Sequence, residues 1–139
     1  MADIIETYNH HGRIGVMVQF RCQDDFAFKT PEFKEVASGI AMHVAAANPI
    51  SVTPSKLSPK IRNDELAKVR EKIEGLDSEA QLQAINDANV RINERYALLH
   101  QAYVKNAEQT VGELLEELSA TLGAAVSVAR FNRWSADET

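Results

Sequence analysis

The side chains in this sequence best suited to chemistry are two adjacent carboxylates, four histidines and one cysteine. Asp24 and Asp25 open the stretch QDDFAFKTPEF (23–33) and could in principle act as a paired acid and base. That work normally takes carboxylates that converge from different segments into a desolvated pocket, which neighbours in sequence do not do. His10 and His11 are adjacent, and His43 and His100 stand far from them. Adjacent strand residues point to opposite faces, so no metal site is expected. Cys22 reads as a small buried residue at a strand end, and a lone cysteine forms no intramolecular disulfide. No glycine-rich phosphate loop or nucleophile elbow is present, so neither a cofactor nor covalent catalysis is expected. What remains is the pair Phe26 and Phe28 directly after the two acids. An exposed ring beside a carboxylate is the composition of a protein–protein hot spot.

These residues lie at the joint between two elements. Before them, Ile14, Val16, Val18 and Phe20 alternate with Gly15, Met17, Gln19 and Arg21, the period of a half-buried strand. An earlier strand over Ile4 to Tyr8 and turn residues at His10-His11-Gly12 complete a β-hairpin. After them, Thr30-Pro31-Glu32 is a helix start, with a hydroxyl cap, a proline in the first turn and an acid near the positive end. Phe33, Val36, Ala37, Ile40 and Val44 carry that helix to Pro49. Gly39 costs about 1 kcal/mol inside it relative to alanine, which a close packing contact would explain.

Residues 50–59 read as a connecting loop. Leu66, Val69 and Ile73 mark a second helix that stops at Gly75. A third begins near Ser78, with Leu82, Ile85, Ile92, Tyr96 and Leu99 as a narrow apolar seam, and pairs with the second as a helical hairpin. Thr110-Val-Gly-Glu113 is a capping box. Leu114, Leu115, Leu118 and Leu122 line the helix it starts, Gly123 closes it, and a last strand runs from Ala124 to Trp134. The expected fold is α+β in one domain over residues 1–139. An antiparallel sheet of about three strands, the N-terminal hairpin plus the C-terminal strand, carries helices on one face. The helical-hairpin insertion falls at about 62–100.

The bulk numbers fit such a domain. The chain has 139 residues, 45% hydrophobic and 25% charged, an ordinary globular mix. Its formal net charge of −5 argues against direct nucleic-acid binding but not against a basic patch on another protein. No apolar run approaches the roughly 18 residues of a membrane span. MADIIETYNHH lacks the apolar region of a signal peptide, so a cytoplasmic chain is expected.

Three stretches carry a resemblance: HHGRIGVMVQFRCQDDF, PEFKEVASGIAMHVAAANP and LLHQAYVKNAEQTVGELLEELSATLGAAVSVARFNRW. The ordered set GRIGV, C-x-x-D-F, E-F, A-M-H-x-A-A-x-x-P and T-V-G-x-L-L, across residues 4 to 134, resembles the core of bacterial translation elongation factor Ts. Members of that family open with a small helical domain. This sequence opens at the core hairpin, so the expectation is a core without that domain.

The resemblance implies guanine-nucleotide exchange on elongation factor Tu, by binding rather than by covalent chemistry. The family's Thr-Asp-Phe motif aligns with Asp24-Asp25-Phe26. By that alignment Phe26 enters between helices of the partner's GTPase domain and Asp25 holds polar groups beside it. The partner's Mg²⁺ and phosphate contacts then loosen. Asp24 replaces the family's threonine, and Ala27-Phe28 replaces a usual Val-Ala, so Asp24 and Phe28 are counted with the wedge. His43 matches a family histidine that would touch the partner's β-barrel; packing within the helix layer is the other reading. Arg13 is expected as a weaker partner contact. A homodimer, through Val126 to Phe131 and the hairpin edge, is a further expectation. The alternative function is a scaffold that binds elongation factor Tu or itself without exchange activity.

Overall fold

A computed structural model describes residues 1–137. Strands β1 (Ala2–His10) and β2 (Ile14–Cys22) form the N-terminal hairpin. His11 and Gly12 both take positive φ, 55° and 73°, and the Arg13 N–H donates to the His10 carbonyl at 2.9 Å. Two left-handed residues are what a hairpin turn needs to match the twist of its strands. Strand β5 (Val126–Ser135) pairs antiparallel with β2, giving the order β1-β2-β5. The register slips at Gln19/Phe20, which are opposed by Arg130 and Val128. Ala129 is therefore the extra residue of a bulge.

The alternation in β2 is realised. Val16, Val18, Phe20 and Cys22 are buried, while Met17 and Arg21 are exposed. Helix α1 (Pro31–Ala47) and helix α4 (Val111–Leu122) cover the buried face. The main core joins Val18 and Phe20 of β2 to Phe33, Ala37, Ile40 and Val44 of α1, and to Val111, Leu115 and Leu118 of α4. Among the described residues no helix covers the other face of the sheet, where Ile5, Met17 and Trp134 are exposed.

Between α1 and α4 the chain makes a second unit. Helix α2 starts at Pro59 and ends at Ile73, so the helix begins where a loop was expected to end. Helix α3 spans Ser78–Tyr96. They pack on each other around Leu57, Leu66, Ala88 and Ile92, a cluster separate from the main core. Leu82, expected in the seam, is instead 63% exposed, and Leu99 falls beyond the end of α3. The chain enters and leaves this arm through one neck. The Ile50 and Ser51 N–H groups donate to the Tyr96 carbonyl, the Leu98 N–H to the Ser51 carbonyl and the Leu99 N–H to the Val52 carbonyl.

A small hairpin of β3 (Ala102–Tyr103) and β4 (Asn106–Thr110) follows, which the sequence reading did not contain. Strand β3 is two residues long, and β4 (NAEQT) has no alternation of apolar and polar residues. The capping box at α4 forms as read: Thr110 Oγ1 accepts the Glu113 N–H at 3.1 Å, and Glu113 Oε1 accepts the Thr110 N–H at 2.8 Å. No helix among the described residues is long and apolar enough to cross a membrane.

Candidate functional site: the Phe26 turn

The joint between β2 and α1 is a single 3-10 turn, Asp25–Lys29. A 3-10 turn has three residues per revolution, so side chains two apart leave on different sides. That separates the two rings. Phe26 is 67% exposed, whereas Phe28 is 8% exposed and sits in the main core. The Phe28 and Phe33 rings lie 5.0 Å apart, and Phe33 meets Phe20 edge-on at 5.4 Å. The expectation that Phe28 belongs to the contact surface is thereby corrected. Its ring is needed to close the core where strand passes to helix.

The turn is fixed at both ends. Asp24 is extended (φ −128°, ψ 118°), and its Oδ1 accepts the Phe26 N–H at 2.9 Å. Its carbonyl accepts the Ala27 N–H at 3.2 Å. At the far end the Thr30 hydroxyl donates to the Ala27 carbonyl at 2.7 Å and accepts the Phe33 N–H at 3.1 Å. Thr30 thus ends one element and caps the next. Asp25 is exposed, and among the described residues no hydrogen bond or ion pair engages its carboxylate. The resulting surface feature is one outward aromatic ring beside one free carboxylate.

The remaining candidates lie elsewhere. His43 is fully buried in α1, which corrects the expectation that it reaches a partner's surface. Its Nδ1 accepts the Val104 N–H at 3.1 Å, and its Nε2 pairs with Gln101 Oε1 at 2.9 Å. Since Nδ1 must accept, Nε2 carries the proton and donates. Gln101 passes the chain on, donating from Nε2 to the Arg95 carbonyl at 2.7 Å. Burial pushes the His43 pKa below its ordinary value, with the Gln101 hydrogen bond as a smaller opposing influence. His43 thus ties together α1, the end of α3 and the β3–β4 hairpin. Gln101 carried no sequence signal for this role, because only the fold brings it to a residue so far away in the chain.

Arg13 lies in the β1–β2 turn, exposed and ion-paired with Asp137. Strand β2 separates it from Asp24 by about 30 Å of extended chain. The structure therefore does not bring Arg13 to the Phe26 turn. Cys22 is buried, as expected for a strand end facing the core.

The arrangement, with a single exposed ring beside a free carboxylate on a turn anchored in the core, suits contact with another macromolecule. The family model described as elongation factor Ts matches residues 1–138. The chain is 38% identical over 135 residues to the elongation factor Ts of Solibacter usitatus, covering 94% of this chain and 63% of that protein. It is 34% identical to that of Desulfosudis oleivorans, with 97% of this chain and 70% of that protein aligned. For Solidesulfovibrio magneticus the identity is 35%, with 97% and 69% aligned. The chain therefore spans about two thirds of the length of these relatives. On the family match and these identities together, it belongs to the elongation factor Ts family.

Proposed function

We propose that this chain promotes release of guanine nucleotide from elongation factor Tu during translation elongation, by binding and without covalent chemistry. The observation that carries this reading is the Phe26 turn: a ring 67% exposed, held out from a core-anchored turn beside the free Asp25. An aromatic ring left in water has an unfavourable contact with solvent that insertion between partner helices would relieve. The Asp25 carboxylate would take charge-assisted hydrogen bonds beside it. Exchange is then a coupling between two ligands of the partner. If the factor prefers the nucleotide-free state, bound nucleotide weakens the factor by the same free energy. A coupling of about 4 kcal/mol corresponds to roughly a thousandfold.

The test is release of a fluorescent GDP analogue from elongation factor Tu with increasing amounts of this protein. Acceleration that falls at least tenfold with Phe26→Ala is expected, as for removal of a central hot-spot ring. No acceleration by the wild-type chain at saturation would remove the proposal.

A second reading, a scaffold that self-associates without exchange, is favoured by the bare face of the sheet. Ile5, Met17 and Trp134 are 56%, 50% and 77% exposed there. Thr7 faces Met17 across β1 and β2, and Asn132 faces it from β5, so these side chains share one surface. Sedimentation over a range of concentrations separates the readings: a dimer broken by Met17→Glu, together with unchanged GDP release, would favour the scaffold.

A further inference from the structure

We propose that Asp24 is a positioning residue: by accepting the Phe26 N–H it fixes the turn that directs the Phe26 ring outward, and it does not itself meet the partner. This rests on the reading of Phe26 as a contact ring.

A ring that is 67% exposed has little packing to hold its direction, so its backbone must do so. On the C-terminal side the backbone is held by Ala27 and Phe28, 4% and 8% exposed, and by the Thr30 hydroxyl on the Ala27 carbonyl. On the N-terminal side nothing is buried between Cys22 and Ala27. The constraint there is Asp24, whose Oδ1 and carbonyl both engage the turn, at Phe26 N and Ala27 N. The carboxylate oxygen accepts the N–H of the second residue of the turn, the geometry of an N-cap.

Aspartate, asparagine and threonine all place an oxygen where this N–H can find it, whereas alanine does not. The local requirement is thus an acceptor oxygen on the side chain at position 24. Charge is incidental to that requirement, which separates the proposal from a direct contact between Asp24 and a basic group on the partner.

The experiment compares wild type with Asp24→Ala, Asp24→Asn and Asp24→Thr in two assays. The first is amide hydrogen exchange at Phe26 in the free protein. The second is nucleotide release from the proposed GTPase partner, titrated to give a half-saturating concentration and a maximal rate. Asp24→Ala should speed exchange at Phe26 and raise the half-saturating concentration about fivefold, the equivalent of one lost cap. The maximal rate should hold, because saturation repopulates the competent conformation. Asp24→Asn and Asp24→Thr should stay within about twofold of wild type in both assays.

If Asp24→Asn is as weak as Asp24→Ala in release while Phe26 stays protected, the carboxylate contacts the partner and the proposal is wrong. Wild-type behaviour of Asp24→Ala in both assays overturns it as well. If the wild-type chain accelerates no release, the exchange reading falls, and Phe26 amide protection across the series alone decides the cap.

Discussion

Phe26 and Phe28 carry the same side chain two positions apart, and their substitutions should have very unequal effects on stability. Phe28→Ala empties a core site against Phe33 and should cost about 3 kcal/mol or more. Phe26→Ala removes a mostly solvated ring and should change stability by less than about 0.5 kcal/mol. Urea unfolding of the two variants checks this, and equal losses would mean that Phe26 packs in solution. In the sequence the two rings could not be told apart, because apolarity marks both and only the 3-10 turn decides which faces out. Thr30 was legible as a helix cap, but its second bond, to the Ala27 carbonyl, was not. His43 was undecided between partner and core for a related reason: a helical position shows its face only once its neighbours do. Its buried, neutral state predicts a pH dependence. The folded pKa is depressed below 6.5, so below that value the unfolded chain binds more protons than the folded one. This contribution to stability is present above the unfolded pKa and is lost as the pH falls towards the folded one. From about pH 7.5 to about 5.5 the wild type should lose more stability than His43→Gln, in urea titrations at each pH. Parallel curves would show that His43 titrates freely.

At the scale of elements, Gly39 explains how the β3–β4 hairpin docks on α1. A Cβ at Gly39 would lie 1.8 Å from Tyr103 Oη and 3.1 Å from its Cζ. Tyr103 also stacks on the His43 ring, with centroids 6.0 Å apart. One turn of α1 thus offers a glycine notch for the phenol and a histidine for the hairpin's backbone. In an open helix Gly→Ala gains about 1 kcal/mol. Here Gly39→Ala should destabilise, because the ring must leave its seat. Adding Tyr103→Phe removes the nearest atom and should recover part of the loss, so the double-mutant cycle should show coupling of about 1 kcal/mol. Additive effects would mean that the hairpin does not rest on this notch. The sequence made the glycine conspicuous as a costly helix residue and pointed to close packing. It could not name Tyr103, which lies beyond the whole helical arm. The capping box and the alternation of β2 were legible because cap chemistry and strand period are local. The β3–β4 hairpin was not, because its pairing depends on contacts that local pattern does not encode.

At the scale of the molecule, the described residues form two apolar clusters joined by a neck. The order of elements revealed the helical pair as an insertion but not how it is joined. Six residues, Ile50, Ser51 and Val52 on the way in and Tyr96, Leu98 and Leu99 on the way out, exchange the backbone hydrogen bonds of the neck. Gln101 adds a side-chain bond from the core side to the Arg95 carbonyl near the end of α3. The arm's orientation is therefore set by hydrogen bonds at its base, and its stability by its own four-residue cluster. Such a unit can open without the rest of the protein. Leu66→Ala should remove about 2–3 kcal/mol from the arm. In native-state hydrogen exchange this should accelerate the amides of α2 and α3 and leave those of β2 and α1 unchanged. Ile40→Ala, in the main core, should lower protection throughout, because unfolding the core takes away the base on which the neck is built. If Leu66→Ala lowers protection evenly across both regions, the two clusters form one cooperative unit, and the neck transmits stability as well as direction.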